Sequence, residues 1–251
     1  MRDGFQPGIC PSPSTADRPV GDDGHFDLPP ERRLRGAQDC EHPQPHFHVD
    51  GDSVMLPWPQ IRIYYQVTIT DRHGRVVRRT RLRRSRSLLR QWVELLRVRF
   101  TQQDQPGVKD IAGATVTIIH ASTAGMLING GTGDANRGPV VGGGSVPVDI
   151  ADFVLGALIP NGTGAGQLAY AATTFSGIVV DATSAQFTVS RIFNNQSGGP
   201  VTIREVGIHA QNNTSGQIQH FFLIVRDLAS PAETVPSGGA ATLVYTVRVV
   251  E

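Results

Sequence analysis

One short stretch of the chain combines a thiol with three imidazoles at spacings suited to holding a metal ion. The residues are Cys40, His42, His46 and His48. Thiolate and imidazole are ligands for zinc and iron, and side chains two residues apart on an extended segment point to the same side. Prolines interrupt the stretch and no Cys-x-x-Cys partner exists, so a metal-free, histidine-rich segment is the competing interpretation. Apart from this zinc or iron hypothesis, the sequence predicts no cofactor.

Arginine is concentrated in one part of the chain. Of the 23 basic residues only Lys109 is a lysine, and eleven arginines fall between Arg72 and Arg99. Guanidinium groups bind carboxylates and phosphates in bidentate fashion. Single-stranded nucleic acid also requires exposed aromatic side chains, and Trp92 follows an apolar pattern instead, so we favour a protein interface over a nucleic-acid contact. The predicted assembly interface consists of Arg75, Arg78, Arg79, Arg81, Arg83, Arg84 and Arg86.

The common motifs of enzymes are missing from the sequence. The glycine clusters at 130–134 and 162–166 have no Gly-Lys-Ser/Thr, which a P-loop requires, and turns in a β-protein explain them more simply. Asp149 and Asp152 are two carboxylates in turn-like sequence, and Glu205 lies in a strand pattern where cross-strand pairing is the usual role. There is no nucleophile elbow and no His-Glu-x-x-His. We therefore predict a protein that is not an enzyme.

Charge and hydropathy exclude several further classes. The net charge is +1, so no global field attracts the chain to nucleic acid or to a membrane surface. The longest apolar runs, such as 221–225, are far below the ~20 residues of a membrane span. The N-terminal residues do not resemble a signal peptide, so we expect synthesis in the cytoplasm, with Cys10 and Cys40 reduced.

Alternation of apolar and polar residues predicts strands over much of the chain from residue 60 onward. Clusters of Gly, Asn and Pro separate the strands, which is typical of an antiparallel β-sandwich or jelly roll. We expect a Pro-bearing loop at 229–239, and either a short helix or a buried extended stretch at 149–159. The predicted strands cover residues 60–70, 75–83, 115–120, 168–175, 185–193, 201–210, 220–228 and 241–250. The turn residues Asp71-Arg72-His73-Gly74 join the first two strands into a hairpin with an arginine-rich face. The stretch 220–228 is nearly all apolar, so we expect both of its faces to be covered.

A single stretch changes to helical periodicity, and the N-terminal quarter of the chain has no period at all. The spacing predicts a short helix over 86–99, with Ser85 or Ser87 as its N-cap. Its apolar face would contain Leu88, Leu89, Trp92, Val93, Leu95 and Leu96.

Residues 1–52 are rich in Pro, Gly and His and cannot bury enough apolar surface to offset ~1–2 kcal/mol per residue of backbone entropy. We therefore predict an extended arm over 1–52, ordered by a neighbouring subunit, and one body over 53–251.

Several sequence segments, taken in order along the chain, carry a resemblance to a known family. They are 83–96, 162–170, 187–195, 201–208, 222–227, 235–239 and 243–247. The most distinctive are Glu205-Val206-Gly207, Arg226-Asp227, Val235-Pro236-Ser237-Gly238-Gly239 and Tyr245-Thr246-Val247. The order resembles uncharacterised virion proteins of tailed bacteriophages over residues 60–251. The resemblance implies a structural role without catalytic residues, and it does not extend to the histidine cluster.

Residues and resemblance together predict a homo-oligomeric structural subunit of a tailed-phage virion that contacts other virion proteins. We expect a head decoration or vertex protein, or a neck or collar protein, that assembles through its arm and its arginine-rich hairpin. The alternatives are a tail component or a carbohydrate-binding module for host adhesion. A nucleic-acid-contacting protein that uses the same hairpin is a further alternative, although nucleic acid is not the favoured partner.

Overall fold

The computed structural model of the protein describes residues 60–251, which form a mainly β architecture of antiparallel sheets, as the sequence predicted. The predicted arm over 1–52 and the metal cluster of Cys40, His42, His46 and His48 lie outside the described residues. Both therefore stay predictions.

Thirteen strands and one α-helix make up the described part of the chain. In chain order the elements are β1 Gln60–Thr70, β2 Val76–Arg79, β3 Arg83–Arg84, α1 Arg90–Thr101, β4 Gln105–Lys109, β5 Thr115–Ile118, β6 Gly138–Gly142, β7 Ala169–Tyr170, β8 Thr174–Phe175, β9 Val179–Val180, β10 Ser184–Asn194, β11 Val201–Asn213, a 3-10 helix Ser215–Gln217, β12 Gln219–Val235 and β13 Ala240–Val250.

The larger sheet is organised around three long antiparallel strands. β13 lies between β1 and β10 and pairs with each over eleven residues. The short strands β2 and β3 lie on the outer side of β1, and β7, β8 and β9 lie on the outer side of β10. The alternation in β1 places Ile63, Tyr65, Val67 and Ile69 in the core, while the residues between them face outward.

The smaller sheet has the order β12-β11-β6 and shares one hydrophobic core with the larger sheet. Residues 222–227 of β12 are buried on both faces. One reason is that α1 packs against β12, where the Leu89 N–H donates to the Ile224 carbonyl oxygen at 3.1 Å. The nearly continuous apolar pattern of 220–228 had indicated this double burial. β4 and β5 form a separate two-stranded sheet.

The helix begins four residues later than the periodicity predicted. Its N-cap is Leu89, without a side-chain capping bond, so neither Ser85 nor Ser87 has the predicted capping role. The preceding residues are extended because Leu88 pairs with Val225 of β12. The buried face is also rotated, since Val93 is 63% exposed. The buried helix residues are Gln91, Glu94, Leu95 and Val98.

The predicted loop at 229–239 is largely strand. β12 runs to Val235, and its pairing with β11 shifts between Ile203, opposite Glu233, and Glu205, opposite Leu228. This irregularity takes up Pro231, which has no N–H to donate to a ladder and fits strands only at such positions. At 149–159 there is neither a helix nor a buried extended stretch, since turns and bends predominate and only Leu155 and Ile159 are buried. No helix among residues 60–251 is long and apolar enough to cross a membrane.

Candidate functional site: an arginine-rich sheet edge

A tight turn places the predicted arginines on the outer edge of the larger sheet. The Asp71 carboxylate accepts the backbone N–H groups of His73 and Arg75, both at 2.9 Å. Gly74 has a φ of +74°, a conformation that residues with a side chain rarely adopt. The chain therefore reverses after β1, and β2 returns antiparallel beside it, which forms the predicted hairpin.

Thr80 joins the two short strands of this edge. Its N–H donates to the Val67 carbonyl oxygen and its hydroxyl oxygen accepts the Val67 N–H, each at 2.9 Å. The side chain thus replaces a backbone partner where β2 ends, and β3 resumes the pairing opposite Tyr64 and Tyr65. The edge stays attached to β1, so its arginines have a rigid support.

Two of the seven predicted interface arginines are neutralised within the chain. Arg75 lies 2.8 Å from the Asp71 carboxylate that shapes the turn. Arg78 lies 2.9 Å from Glu233 of β12; the Arg78 side chain is 52% exposed, but that of Glu233 is only 2% exposed. Arg78 therefore acts as the counter-charge of a buried carboxylate and links the edge to the smaller sheet.

The other five form no ion pair with any carboxylate among residues 60–251. They are Arg79, Arg81, Arg83, Arg84 and Arg86. Arg83 is half-buried beside Tyr65, and the others are exposed. Burial raises the pKa of Tyr65 above its usual range, while the Arg83 guanidinium partly opposes this shift. Positive charge without a counter-charge is thus concentrated on this edge.

Arg62 belongs to the same surface, although it was not among the predicted interface residues. In the register of the sheet it lies directly opposite Arg248 of β13, and like charges in that position repel. Arg62 donates to the Gln60 side-chain oxygen at 3.1 and 3.0 Å, and Arg248 lies 3.7 Å from Asp181. The alternation of β1, which places Arg62 on the outer face, was the signal in the sequence.

Three of the uncompensated arginines surround one groove of about 470 Å³. Its lining consists of Arg62, Arg84 and Arg86 together with Ser85, Ile61, Ile63 and Leu88. The groove combines three guanidinium groups with apolar side chains, a lining that suits an anion attached to an apolar group.

The groove opens where the chain, after β3, leaves the side of β1 and crosses to the smaller sheet. The Ser85 N–H still donates to the Ile63 carbonyl oxygen at 2.7 Å. The backbone polar groups of the next two residues bond to β12 instead of β1. The Arg86 N–H donates to the Asp227 carboxylate at 3.1 Å, and the Ser87 carbonyl oxygen accepts the Arg226 N–H at 3.3 Å. Within residues 60–251, no strand covers this side of β1 from Gln60 to Arg62.

Asp227 holds the crossing segment in place. It is buried, and burial raises the pKa of its carboxyl group, against the opposing hydrogen bond from the Arg86 backbone N–H. One carboxylate oxygen accepts the Arg86 N–H, while the other has no partner among the described residues. The carboxylate fixes the backbone at the edge of the groove but leaves the Arg86 guanidinium exposed.

A second group of charged residues, in which Arg226 and Glu205 are buried and Asp152 is half-buried, was not recognised as a cluster from the sequence. Arg226 donates to Glu205 at 2.9 Å and to Asp152 at 2.6 Å, and also to the Val146 carbonyl oxygen at 3.0 Å. Burial alone would lower the pKa of Arg226, but the bonds to Asp152 and Glu205 raise it above the usual range. Glu205 therefore pairs across the sheet, as predicted, and Asp152 has a structural partner.

Glu205 also organises the backbone around it. Its carboxylate accepts the N–H groups of Gly144 and Gly156, both at 3.0 Å, and of Ala157 at 2.8 Å. A Cβ on Gly142 would lie 2.5 Å from Glu205 Oε1. Glycine is therefore required close to this carboxylate, and the surrounding loops are folded around an ion pair with no solvent access.

Arg191 is buried without a carboxylate in contact. It donates to the carbonyl oxygens of Ala171 at 2.7 Å, Arg137 at 2.8 Å and Gly131 at 2.8 Å. Burial lowers the pKa of Arg191. The glycine cluster at 130–134 thus wraps a guanidinium group from this chain, in agreement with its interpretation as turns rather than as a phosphate-binding loop.

No group of three or more His, Cys, Asp or Glu side chains among residues 60–251 is arranged to hold a metal ion. Comparisons with protein-family models, with curated proteins and with solved structures found no match for the chain.

Proposed function

We propose that this protein is a structural subunit of a tailed-phage virion, a head decoration or vertex protein or a neck or collar protein, which assembles through its N-terminal arm and its arginine-rich sheet edge. The order of the sequence segments over residues 83–247 resembles that of virion proteins of tailed bacteriophages, and this resemblance supports the proposal. The proposed subunit has no catalytic role.

One observation carries the assembly part of the proposal. Five arginines of the edge, together with Arg62, form no ion pair among the described residues, while in the two buried arginines, Arg191 and Arg226, every guanidinium nitrogen donates to an acceptor. Arginine is the residue best suited to bidentate bonds across an interface. A surface of this kind, held on a rigid antiparallel sheet, is typical of a subunit that meets anionic groups of a partner.

The alternative of a nucleic-acid contact has a specific observation in its favour. Tyr64 is half-buried and lies opposite Arg84 in the sheet, so an aromatic ring and a guanidinium group are neighbours on this edge. Bases stack on such rings. Sugar binding through tyrosine is less well supported, because Tyr65, Tyr170 and Tyr245 are buried.

Imaging of intact particles tests the proposal. We expect antibodies against the purified protein to label phage particles from the same source at a fixed position on the head or neck. We also expect deletion of residues 1–52 to leave residues 60–251 folded, since their core is self-contained, and to reduce incorporation into particles. Absence of the protein from purified particles would contradict the proposal.

Binding to single-stranded DNA tests the alternative. A nucleic-acid role predicts binding that weakens steeply with salt and is lost when Arg79 and Arg84 are both replaced by alanine. The structural role predicts no binding at physiological ionic strength. The control is Arg204→Ala, which removes an exposed arginine from the smaller sheet.

A further inference from the structure

The groove beside β1 has the chemistry of a site for an extended acidic segment. Arg62, Arg84 and Arg86 provide guanidinium groups, and Ile61 and Leu88 provide apolar surface. The side of β1 that faces the groove is not covered by a strand within residues 60–251 from Gln60 to Arg62. An extended segment can add to such a strand by backbone hydrogen bonds while alternate side chains meet the charged and the apolar groups.

We propose that this groove binds the acidic stretch 39–56 of a second copy of the chain. The inference rests on the proposed assembly through the arm and the arginine-rich edge, and it names the partner of that edge.

Charge is divided between the two parts of the sequence in a way that supports this occupant. Residues 1–59 contain ten acidic residues and five arginines, whereas residues 60–251 contain twelve acidic and eighteen basic residues. The near-zero net charge of the whole chain thus conceals an acidic segment and a basic body. Opposite charges favour association and fix its orientation.

The spacing of acidic residues in the segment also fits the groove. Asp50 and Asp52 are two residues apart, followed by the apolar Val54, Met55 and Leu56. In an added strand, side chains at i and i+2 point to the same side, so both carboxylates would share one face with Val54 and Leu56, and this face would present both carboxylates and apolar groups to the groove. The phosphate backbone of a nucleic acid has the same sign of charge but no apolar side chain that could pack against Ile61 and Leu88.

Photo-crosslinking in the full-length protein identifies the occupant. A p-benzoylphenylalanine residue in place of Ile61 places the reactive group at the floor of the groove. We expect mixtures of unlabelled and ¹⁵N-labelled protein to give crosslinked peptides that join position 61 of one copy to residues 39–56 of the other. Crosslinks confined to other segments, to peptides of the same copy or to co-purified nucleic acid would overturn the inference.

Charge reversal then tests the ionic contacts. We expect the Arg62→Glu, Arg84→Glu, Arg86→Glu variant and the Asp50→Arg, Asp52→Arg variant each to self-associate at least about tenfold more weakly than the unaltered protein at low salt. A mixture of the two variants retains one unaltered contact, because the first variant still has the acidic segment and the second still has the arginine groove. Association of the mixture but of neither variant alone supports the inference, and weak association of all three samples overturns it.

Two measurements separate this inference from the proposed function. Arg204→Glu reverses an exposed charge on the smaller sheet and is the matched control, which we expect to self-associate normally. If the protein is found in virions but the groove variants incorporate as well as the control, the inference fails while the proposed function stands. If the protein is absent from virions while the crosslinks form, the groove contact stands and the virion role fails.

Discussion

The interior and the outer edge of this protein use the same side chain in opposite ways. Arg226 and Arg191 are buried, and hydrogen bonds from their guanidinium groups go to carboxylates or to backbone carbonyl oxygens. Arg79 and Arg84 lie on the sheet edge and form no ion pair among residues 60–251. The first pair stabilises the fold, while the second leaves binding capacity on the surface.

The difference shows that the environment of an arginine, rather than its presence, indicates its role. A buried guanidinium group has to regain the hydrogen bonds that it loses with water, so the chain is folded around it. A surface guanidinium group is already hydrated and can exchange water for a partner. Arg78 lies between these cases, because it is half-exposed and binds the buried Glu233.

The largest effect on stability should come from removing Arg226. In Arg226→Ala, the buried Glu205 loses its counter-charge, and breaking such a pair typically costs about 3–5 kcal/mol. We expect the free energy of unfolding in urea to fall by that amount. An effect below about 1 kcal/mol would mean that water reaches the site and that the contrast between interior and edge is weaker than the structure indicates.

The buried His209 can be compared with the buried arginines, because its charge, unlike theirs, depends on pH in the ordinary range. His209 donates from Nδ1 to the Ala135 carbonyl oxygen at 2.9 Å, and its Nε2 has no partner among the described residues. Burial lowers the pKa of His209 to about 4, from an ordinary value of 6.5. Because the unfolded chain takes up the proton first, this residue stabilises the fold fully above pH 6.5, and the stabilisation is lost as the pH falls from about 6.5 to about 4.

The loss should amount to about 3 kcal/mol over that range of pH. Denaturant unfolding of the unaltered protein and of His209→Gln at several pH values measures it. The variant should show a shallower fall in stability between pH 7 and pH 4, and parallel curves for the two proteins would exclude the assignment to His209.

Replacement of two adjacent arginines of the edge, Arg78 and Arg79, should lower the free energy of unfolding by different amounts. Arg78→Ala leaves the buried Glu233 carboxylate without its partner, which should cost about 2 kcal/mol. Arg79→Ala removes an exposed side chain that forms no ion pair within residues 60–251. Chemical denaturation of the two variants side by side measures the difference. Equal losses of unfolding free energy would show that the ion pair between Arg78 and Glu233 does not stabilise the fold.

The smallest effect on stability should come from the arginines of the groove. We expect Arg84→Ala and Arg86→Ala each to change the free energy of unfolding by less than about 0.5 kcal/mol, as is usual at exposed sites. Differential scanning calorimetry measures this change, while sedimentation at low salt measures association. A large fall in melting temperature would show that these residues stabilise the fold.

Much of the β architecture was predictable from local pattern. The alternation of residues 60–70 and 241–250 predicted β1 and β13, and the Asp71–Gly74 sequence predicted the turn that starts the arginine-rich hairpin. The helix start was not predictable, because Leu88 and Leu89 fit a helical period equally well. Pairing of Leu88 with Val225, distant in sequence, holds this segment extended.

The sequence by itself determined the positions of most of the long strands, that arginine is concentrated beside the first of them, and that Glu205 pairs across a sheet. These properties depend on residues that are near one another in the chain, where side-chain period and turn chemistry act directly. Tertiary structure alone decided that Glu205 pairs with Arg226, that Arg78 binds Glu233, and that Arg62 joins Arg84 and Arg86 around one groove. Each of these contacts joins different strands, so strand order and register, set by packing of the shared core, determine which charges meet.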